Sequence, residues 1–436
     1  MSPSIAHPAH ADPVRISSAA YPALPRLLPA NGDHDSELAA HLNRHGPLPY
    51  TGGPRRLIPA IAASGLTGRG GAAFPVSRKL DAVASAAGRA VVVANGAEGE
   101  PASDKDKTLL RLAPHLVLDG LQLAAEAVQA DRAVLYVGCD PQTSRQLSDL
   151  VAERARLGLD RLPAQLIAAP PRFLAGQESA LVSVISGGQA LPRFTPPRVF
   201  ERGVDGRPTL VQNVETLAHL ALIARYGAGW FRAAGTPDEP GTMLCTVRQA
   251  DGSAAVAEVS IGTPLAALVD LSASQAVLIG GYHGAWIPAD QAQGLALSNS
   301  ALRPIGASVG AGVLAALPQD RCGLAETARV TRYLALESAG QCGPCRSGLP
   351  RIAAGLMEIA GPRPRQAVLA DLSRWAGLVA GRGACHHPDG AVRFIASALR
   401  AFAAEIRLHR RGACSAASAA PFLPVTAAPV DDDDWS

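Results

Sequence analysis

Ala90-Val91-Val92-Val93-Ala94-Asn95-Gly96-Ala97-Glu98-Gly99-Glu100-Pro101 is the stretch on which the fold turns. Its first five residues are wholly apolar and rich in valine, with no polar face, as a strand buried on both sides by helices requires. The texture then changes at once to amide, glycine and carboxylate residues, and parallel sheets bind ligands at the carboxyl ends of their strands. Ala133-Val134-Leu135-Tyr136-Val137 reads as a second strand of the same kind. Between the two, Val117, Leu121, Ala124 and Val128 recur at helical spacing, which predicts a β–α–β unit and an α/β fold.

Outward from this unit the chain runs to 436 residues, more than one ordinary domain. Apolar residues make up 48% and charged residues 18%, which excludes a disordered chain. A net charge of +3 recommends neither nucleic acid nor anionic lipid as a partner. Residues 1–55 read as an extended arm over the core and 56–235 as the α/β domain. Residues 236–318 read as a β-rich module of short, glycine-punctuated strands, the clearest being Ala276-Val277-Leu278-Ile279. In 319–412 helices dominate; Val392, Ile395, Leu399, Phe402 and Ile406 form one apolar stripe, so that helix packs in a bundle. Residues 413–436, with the run Asp431 to Asp434, read as a disordered acidic tail. The opening Met1-Ser2-Pro3-Ser4 lacks a signal-peptide pattern, and residues 271–289 and 412–430 are too broken by polar, glycine or proline residues to span a membrane. Seven scattered cysteines and these absences make a reducing cytoplasm the expected location.

Four elements carry chemistry. Gly65 to Pro75 holds Gly68, Arg69, Gly70, Gly71, Ala72 and Phe74: glycines let backbone N–H groups approach a phosphate, and Arg69 can neutralise it. The loop lacks the spacing of the dinucleotide fingerprint, so a plain tight turn is the competing reading. In the second element Asn95 can read the amides of a ring, and Glu98 and Glu100 can accept from ribose or ribityl hydroxyls; two solvated acids on a turn are the alternative. The third, Gly176-Gln177-Glu178-Ser179-Ala180-Leu181, suits a ligand or helix capping, and the fourth, Val211-Gln212-Asn213-Val214-Glu215-Thr216, suits a polar heterocycle, a phosphate or helix capping. Only three lysines occur among forty basic residues, and Lys79, Lys105 and Lys107 all stand beside these motifs, where a compact ammonium does what a planar fork cannot.

Cys342-Gly343-Pro344-Cys345 is a Cys-x-x-Cys, with Cys385 forty residues on, followed by His386 and His387. Three cysteines with a histidine suit zinc, three with an outside ligand suit an iron–sulfur cluster, and a redox-active thiol pair is a third option. Cys139, Cys245, Cys322 and Cys414 read as core or surface thiols.

In this order the elements resemble the flavoprotein family of respiratory NADH–quinone oxidoreductase, which also supplies the diaphorase components of NAD-linked hydrogenases and formate dehydrogenases. The resemblance covers residues 25–410. It implies a Rossmann-like FMN-binding domain, a ubiquitin-like β-grasp module at 236–318 and a C-terminal helical bundle carrying a [4Fe–4S] cluster. It implies that Gly68 to Phe74 with Lys79 receive FMN and NADH, that Glu100 lies on the nucleotide side, and that Val211 to Thr216 bind FMN, Gln212, Asn213 and Thr216 among them. Departures from the family pattern are Ala97 for Asp, Phe173 for Tyr, Gln177 for Glu, Arg198 for Phe, Gln212 for Asn, and Ala339 for the first cluster cysteine. The incomplete ligand set implies a site-differentiated [4Fe–4S], a [3Fe–4S], or completion by His386, His387 or another cysteine. The expected reaction is hydride transfer from NADH to FMN followed by single-electron release to the cluster. The resemblance makes a thioredoxin-like [2Fe–2S] protein or a membrane redox complex the expected partner, on the cytoplasmic face. A relay or assembly component without NADH binding and a zinc-stabilised binding protein are the alternatives.

Overall fold

The structure, a computed structural model, describes residues 26–29, 36–53 and 55–425. Three helices, α1 (Leu38–His45), α2 (Leu57–Ser64) and α3 (Val76–Ser85), lead into β1 (Ala90–Gly96). There follow α4 (Lys105–Leu112), α5 (Pro114–Val128), β2 (Ala130–Val137), α6 (Pro141–Arg156), β3 (Ala164–Ala168), α7 (Glu178–Ile185), β4 (Thr209–Asn213) and α8 (Val214–Arg232). The four strands form a parallel sheet in the order β3-β2-β1-β4. Val91, Val92 and Val93 are completely buried, because helices cover both faces as the apolar run requires. Gly120 lets α5 and α8 approach closely: a Cβ there would stand 2.0 Å from the Leu217 carbonyl oxygen.

A second, mixed sheet has the order β6-β5-β9-β7-β8, from β5 (Thr242–Arg248), β6 (Ala254–Ser260), β7 (Ser274–Ile279), β8 (Ala285–Pro288) and β9 (Val313–Pro318). The short helices α9 (Ala289–Ala292) and α10 (Asn299–Leu302) lie between β8 and β9. Then α11 (Gly323–Leu336), α12 (Leu349–Ala360), α13 (Val368–Val379), α14 (His387–Ala401) and α15 (Ala403–Arg410) pack on one another around Leu334, Ile352, Ile359 and Phe394. Among the described residues no helix is long and apolar enough to cross a membrane.

Three expectations change. Within the N-terminal arm, residues 38–45 form a helix, and Arg26, Leu27 and Leu28 are pinned by backbone N–H bonds to Glu258. The single stripe through Val392 and Ile406 is two helices, since the backbone leaves the helical region at Phe402 (φ −106°, ψ 28°), whose ring seats against Gly323. Residues 413–425 are ordered against the bundle: Phe422 and Leu423 donate N–H bonds to Glu326, and Leu423 is buried. Asp431 to Asp434 lie outside the described residues.

Candidate flavin cradle and cysteine site

The glycine loop is closed at its base by the Gly68 N–H on Phe74 O at 2.9 Å and anchored by the Arg69 N–H on Thr216 Oγ1 at 2.8 Å. It lies over the end of β4, where a Cβ on Gly70 would touch the Asn213 Cβ at 3.4 Å. Among the described residues no protein acceptor takes the N–H groups of Gly70, Gly71, Ala72 or Ala73. A row of unspent backbone donors is what an anion needs. A narrow cleft of about 20 Å³, room for little more than one water, lies beside the loop, lined by Gly68, Arg69, Gly71, Glu239, Asn299 and Gly310, so the donor row rather than the cleft marks the cradle. Buried Gln212 adds an Nε2 with no partner, a second group suited to a polar ring. These features fit a planar cofactor with a phosphate.

The Arg69 side chain departs from its expected role. It is buried, with Nη1 on Thr67 Oγ1 at 3.0 Å and Nε 4.0 Å from Glu215. It therefore answers an internal carboxylate more directly than a phosphate. Beneath the loop, Lys105 Nζ meets Asp106 at 2.7 Å and Glu215 at 2.9 Å, all three buried. Burial pushes the Glu215 carboxyl up, but Lys105, His219 and Arg69 outweigh it and hold it down at about 2. Burial also opposes a charge on Lys105, and its two carboxylates overcome that, raising its pKa. Asn213 caps α8 through the Glu215 N–H and donates Nδ2 to Asp106 at 2.7 Å. This buried triad is the part of the site that the motifs did not reveal. Its sequence signals were the rarity of lysine and the place of Glu215 within the fourth element.

At the end of β1, Asn95 donates Nδ2 to Gly176 O at 2.8 Å, tying strand to turn. Gly176 has no room for a side chain, because a Cβ would stand 2.4 Å from Ala97 O. Gln177 is the N-cap of α7, its Oε1 accepting from the N–H groups of Ser179 and Ala180, both at 2.9 Å. Glu178 turns the other way and meets Lys79 Nζ at 2.7 Å, while Lys79 also reaches Val211 O.

Glu98 is a correction. Its carboxylate accepts from Ser103 Oγ and from the N–H groups of Asp106 and Lys107 at 3.3 and 3.2 Å, so it caps the first turn of α4. Glu100 crosses to the second sheet, taking the Tyr282 N–H at 2.9 Å, and burial pushes its carboxyl up to about 8. Lys107 is half-exposed and pairs with Asp104.

The cysteine site adjoins this region. Cys342 precedes a short π-helical turn, Pro344–Gly348, that leads into α12, and Cys385 stands two residues before α14. Burial pushes the Cys345 thiol up to about 12, helped by Cys342 and Cys385, so the three sulfurs share one neighbourhood. Ala339 packs beside Leu174 and Ala175 and offers no ligand. Neither histidine completes the set. His386 is fully exposed with Nδ1 turned to Asp389, and His387 is spent between Leu334 O at 2.8 Å and His283 at 3.1 Å. Three sulfurs remain, which fits an iron–sulfur cluster with one iron left to another ligand, or a three-iron cluster.

Two family profiles match, the Nuo51 FMN-binding domain over residues 61–222 and the NADH-ubiquinone oxidoreductase-F iron-sulfur binding region over residues 325–409. The chain belongs to the 51 kDa flavoprotein family of NADH–quinone oxidoreductase. Within the family, an NADH-quinone oxidoreductase component of Rhizobium meliloti (strain 1021) is 28% identical over 375 residues, 82% of this chain and 89% of the relative. Its counterpart in Streptomyces coelicolor is 29% identical over 379 residues, 82% and 84% of the two chains. Among solved structures, an NAD+-reducing [NiFe]-hydrogenase in its H2-reduced state superposes with a TM-score of 0.74 at 27% identity over 86% of this chain. This chain spans 66% of that hydrogenase chain. The FMN-binding match contains the glycine loop, the β1 end, the α7 turn and the start of α8. The iron–sulfur match contains Cys342, Cys345 and Cys385.

Proposed function

We propose that the chain is an NADH-oxidising electron-transfer protein that holds FMN in the glycine cradle and an iron–sulfur cluster on Cys342, Cys345 and Cys385. Bound FMN supplies the exchange between a two-electron donor and one-electron acceptors. The residues of the chain bind and orient. The unspent N–H groups of Gly70 to Ala73 would receive the phosphate, and Gln212 would meet a polar edge of the ring. Lys79, ion-paired with Glu178, also holds Val211 O at the end of β4. The Lys105–Asp106–Glu215 triad fixes Asn213 and, through Arg69, the loop above.

The observation that carries the reading is the segment Arg172 to Gly176, which joins the two halves. On one side Gly176 O receives Asn95 Nδ2. On the other, the Phe173 N–H donates to Glu337 Oε2 at 2.9 Å, just upstream of Cys342. The Phe173 ring also stacks edge-on against His283 and His387. One short segment thus ties the cradle side of the chain to the stretch that leads into Cys342, which supports placing the two centres side by side.

At a finer level, we read the second sheet as a β-grasp module and the chain as one component of a larger redox assembly. A thioredoxin-like [2Fe–2S] protein or a peripheral membrane complex on the cytoplasmic side would take its electrons. A relay component without NADH binding is the second reading, favoured by Ala97 and by Gln177, whose side chain is consumed as a cap.

Oxygen-free purification with flavin, iron and sulfide counted, followed by addition of NADH, tests both. Bleaching of the flavin with ferricyanide reduction is the expected result. Bound flavin that NADH leaves untouched selects the relay reading, and a colourless protein overturns both.

A further inference from the structure

A second cluster of soft and borderline ligands lies at the far end of the bundle, away from Cys342, Cys345 and Cys385. Cys322, Glu405, His409 and Cys414 offer one ligand atom each, all within 4.8 Å of one another. The first three are buried and only Cys414 is exposed. They come from three places: Cys322 caps α11, Glu405 and His409 are one turn apart on α15, and Cys414 follows α15 on the returning segment.

We propose that these four side chains bind one zinc ion, which staples residues 411–425 to the start of α11. The donor set, two thiolates, an imidazole and a carboxylate, is a zinc set. The spacing agrees. Tetrahedral bonds of zinc to nitrogen, oxygen and sulfur put neighbouring ligand atoms about 3.3–3.8 Å apart. Cys322 Sγ and His409 Nε2 are 3.6 Å apart, within that range, while His409 Nε2 and Glu405 Oε1, 3.0 Å apart as an ion pair, would separate by a few tenths of an ångström around the metal.

The surroundings prepare each ligand. His409 Nδ1 donates to Ile359 O at 2.9 Å, which turns the Nε2 lone pair toward Cys322 and Glu405. Such a carbonyl behind the imidazole is the usual outer partner of a metal-bound histidine. Glu405 accepts from the Ser415 N–H at 2.9 Å and from Ser415 Oγ at 2.5 Å. Backbone N–H groups of Ala325 and Ala416 point at the sulfurs of Cys322 and Cys414, each at 3.4 Å. A simple ion pair between Glu405 and His409 would need neither sulfur.

The test uses the full chain, purified without oxygen and with chelator-washed buffers, and zinc and iron measured separately by mass spectrometry of the elements. One zinc per chain is expected. It should fall at least tenfold in the double variant Cys322→Ser/Cys414→Ser and persist in Cys385→Ser, which touches the other cysteine site. Because a buried change at Cys322 can disturb folding, the exposed Cys414→Ser alone is the second variant. It should release zinc to a chromogenic chelator at least tenfold faster than the unaltered chain, and hydrogen exchange should quicken in residues 411–425 only. Absence of zinc, zinc that survives the double variant, iron that follows these two cysteines, or a Cys322–Cys414 disulfide in the native protein each overturns the assignment.

Discussion

Glu98 gives the sharpest prediction, because sequence and structure assign it different work. Read from the motif, its carboxylate faces a ribityl chain; in the structure it accepts the N–H groups of Asp106 and Lys107 and the Ser103 hydroxyl. Those two N–H groups belong to the first turn of α4, where a helix has no acceptors of its own. Replacing Glu98 by Ala removes the capping oxygens, a loss of about 1 kcal/mol, and the charge at the positive end of the helix, about 0.5 kcal/mol more. A local loss of about 1.5 kcal/mol is about tenfold in the opening equilibrium. Hydrogen exchange read peptide by peptide should therefore quicken about tenfold across residues 103–112 in Glu98→Ala. Glu98→Gln keeps an acceptor and loses the charge, so about twofold is expected there. Flavin content should follow the helix: unchanged in Glu98→Gln and lowered in Glu98→Ala only so far as α4 opens. Loss of flavin from Glu98→Gln with no change of exchange in α4 would refute the capping role and restore the direct contact.

Gly120→Ala should prevent native packing of α5 on α8, since the new methyl meets the Leu217 carbonyl at 2.0 Å and neither backbone can yield; a loss above about 3 kcal/mol is expected, read as insoluble protein or a collapsed urea midpoint. The Glu215 carboxyl lies at about 2 when folded against an ordinary 4.5, so its pairing stabilises the fold fully above pH 4.5 and the benefit is lost as pH falls toward 2. That is about 3 kcal/mol across the window, and denaturant titrations at several pH values should show this acid loss shrink in Glu215→Gln. Ala339→Cys supplies a fourth sulfur beside Leu174 and Ala175; chelator-driven iron loss should be at least tenfold slower, with iron rising to four per chain where the unaltered protein holds three, and an unchanged rate of loss would place Ala339 outside the ligand sphere.

The sheet was legible because burial on both faces leaves a mark that no surface element shares: three consecutive valines in β1 and the five-residue run in β2. The loops at the strand ends were legible as glycine and amide clusters. What escaped the sequence was pairing across distance. Nothing near Glu98 in the chain says that α4 starts where its carboxylate points. The stripe through Phe402 keeps helical spacing although the backbone breaks there, since spacing records which side is apolar and not whether the hydrogen bonds run on. Cys322 and Cys414 looked idle for the same reason, although Glu405 and His409 at one-turn spacing, with Cys414 five residues on, held a partial signal.

The replaced family residues bear on function through what they now do. Ala97 and Gln177 flank the Gly176 turn, where Ala97 O stands too close to Gly176 for any Cβ. A carboxylate at 177 would cap α7 as well as the present amide and would add negative charge at the cradle; the amide keeps the cap and drops the charge. The fold of the turn is thus indifferent to the substitution, while the field over the cradle is not. With Lys79 still held by Glu178 and the N–H row of the glycine loop unspent, the balance shifts toward the positive. A more positive surrounding favours the reduced, anionic form of a bound flavin. Gln177→Glu should therefore lower the flavin midpoint potential while leaving flavin content and the exchange rates of α7 unchanged. A potential that does not move would mean that residue 177 serves the helix alone.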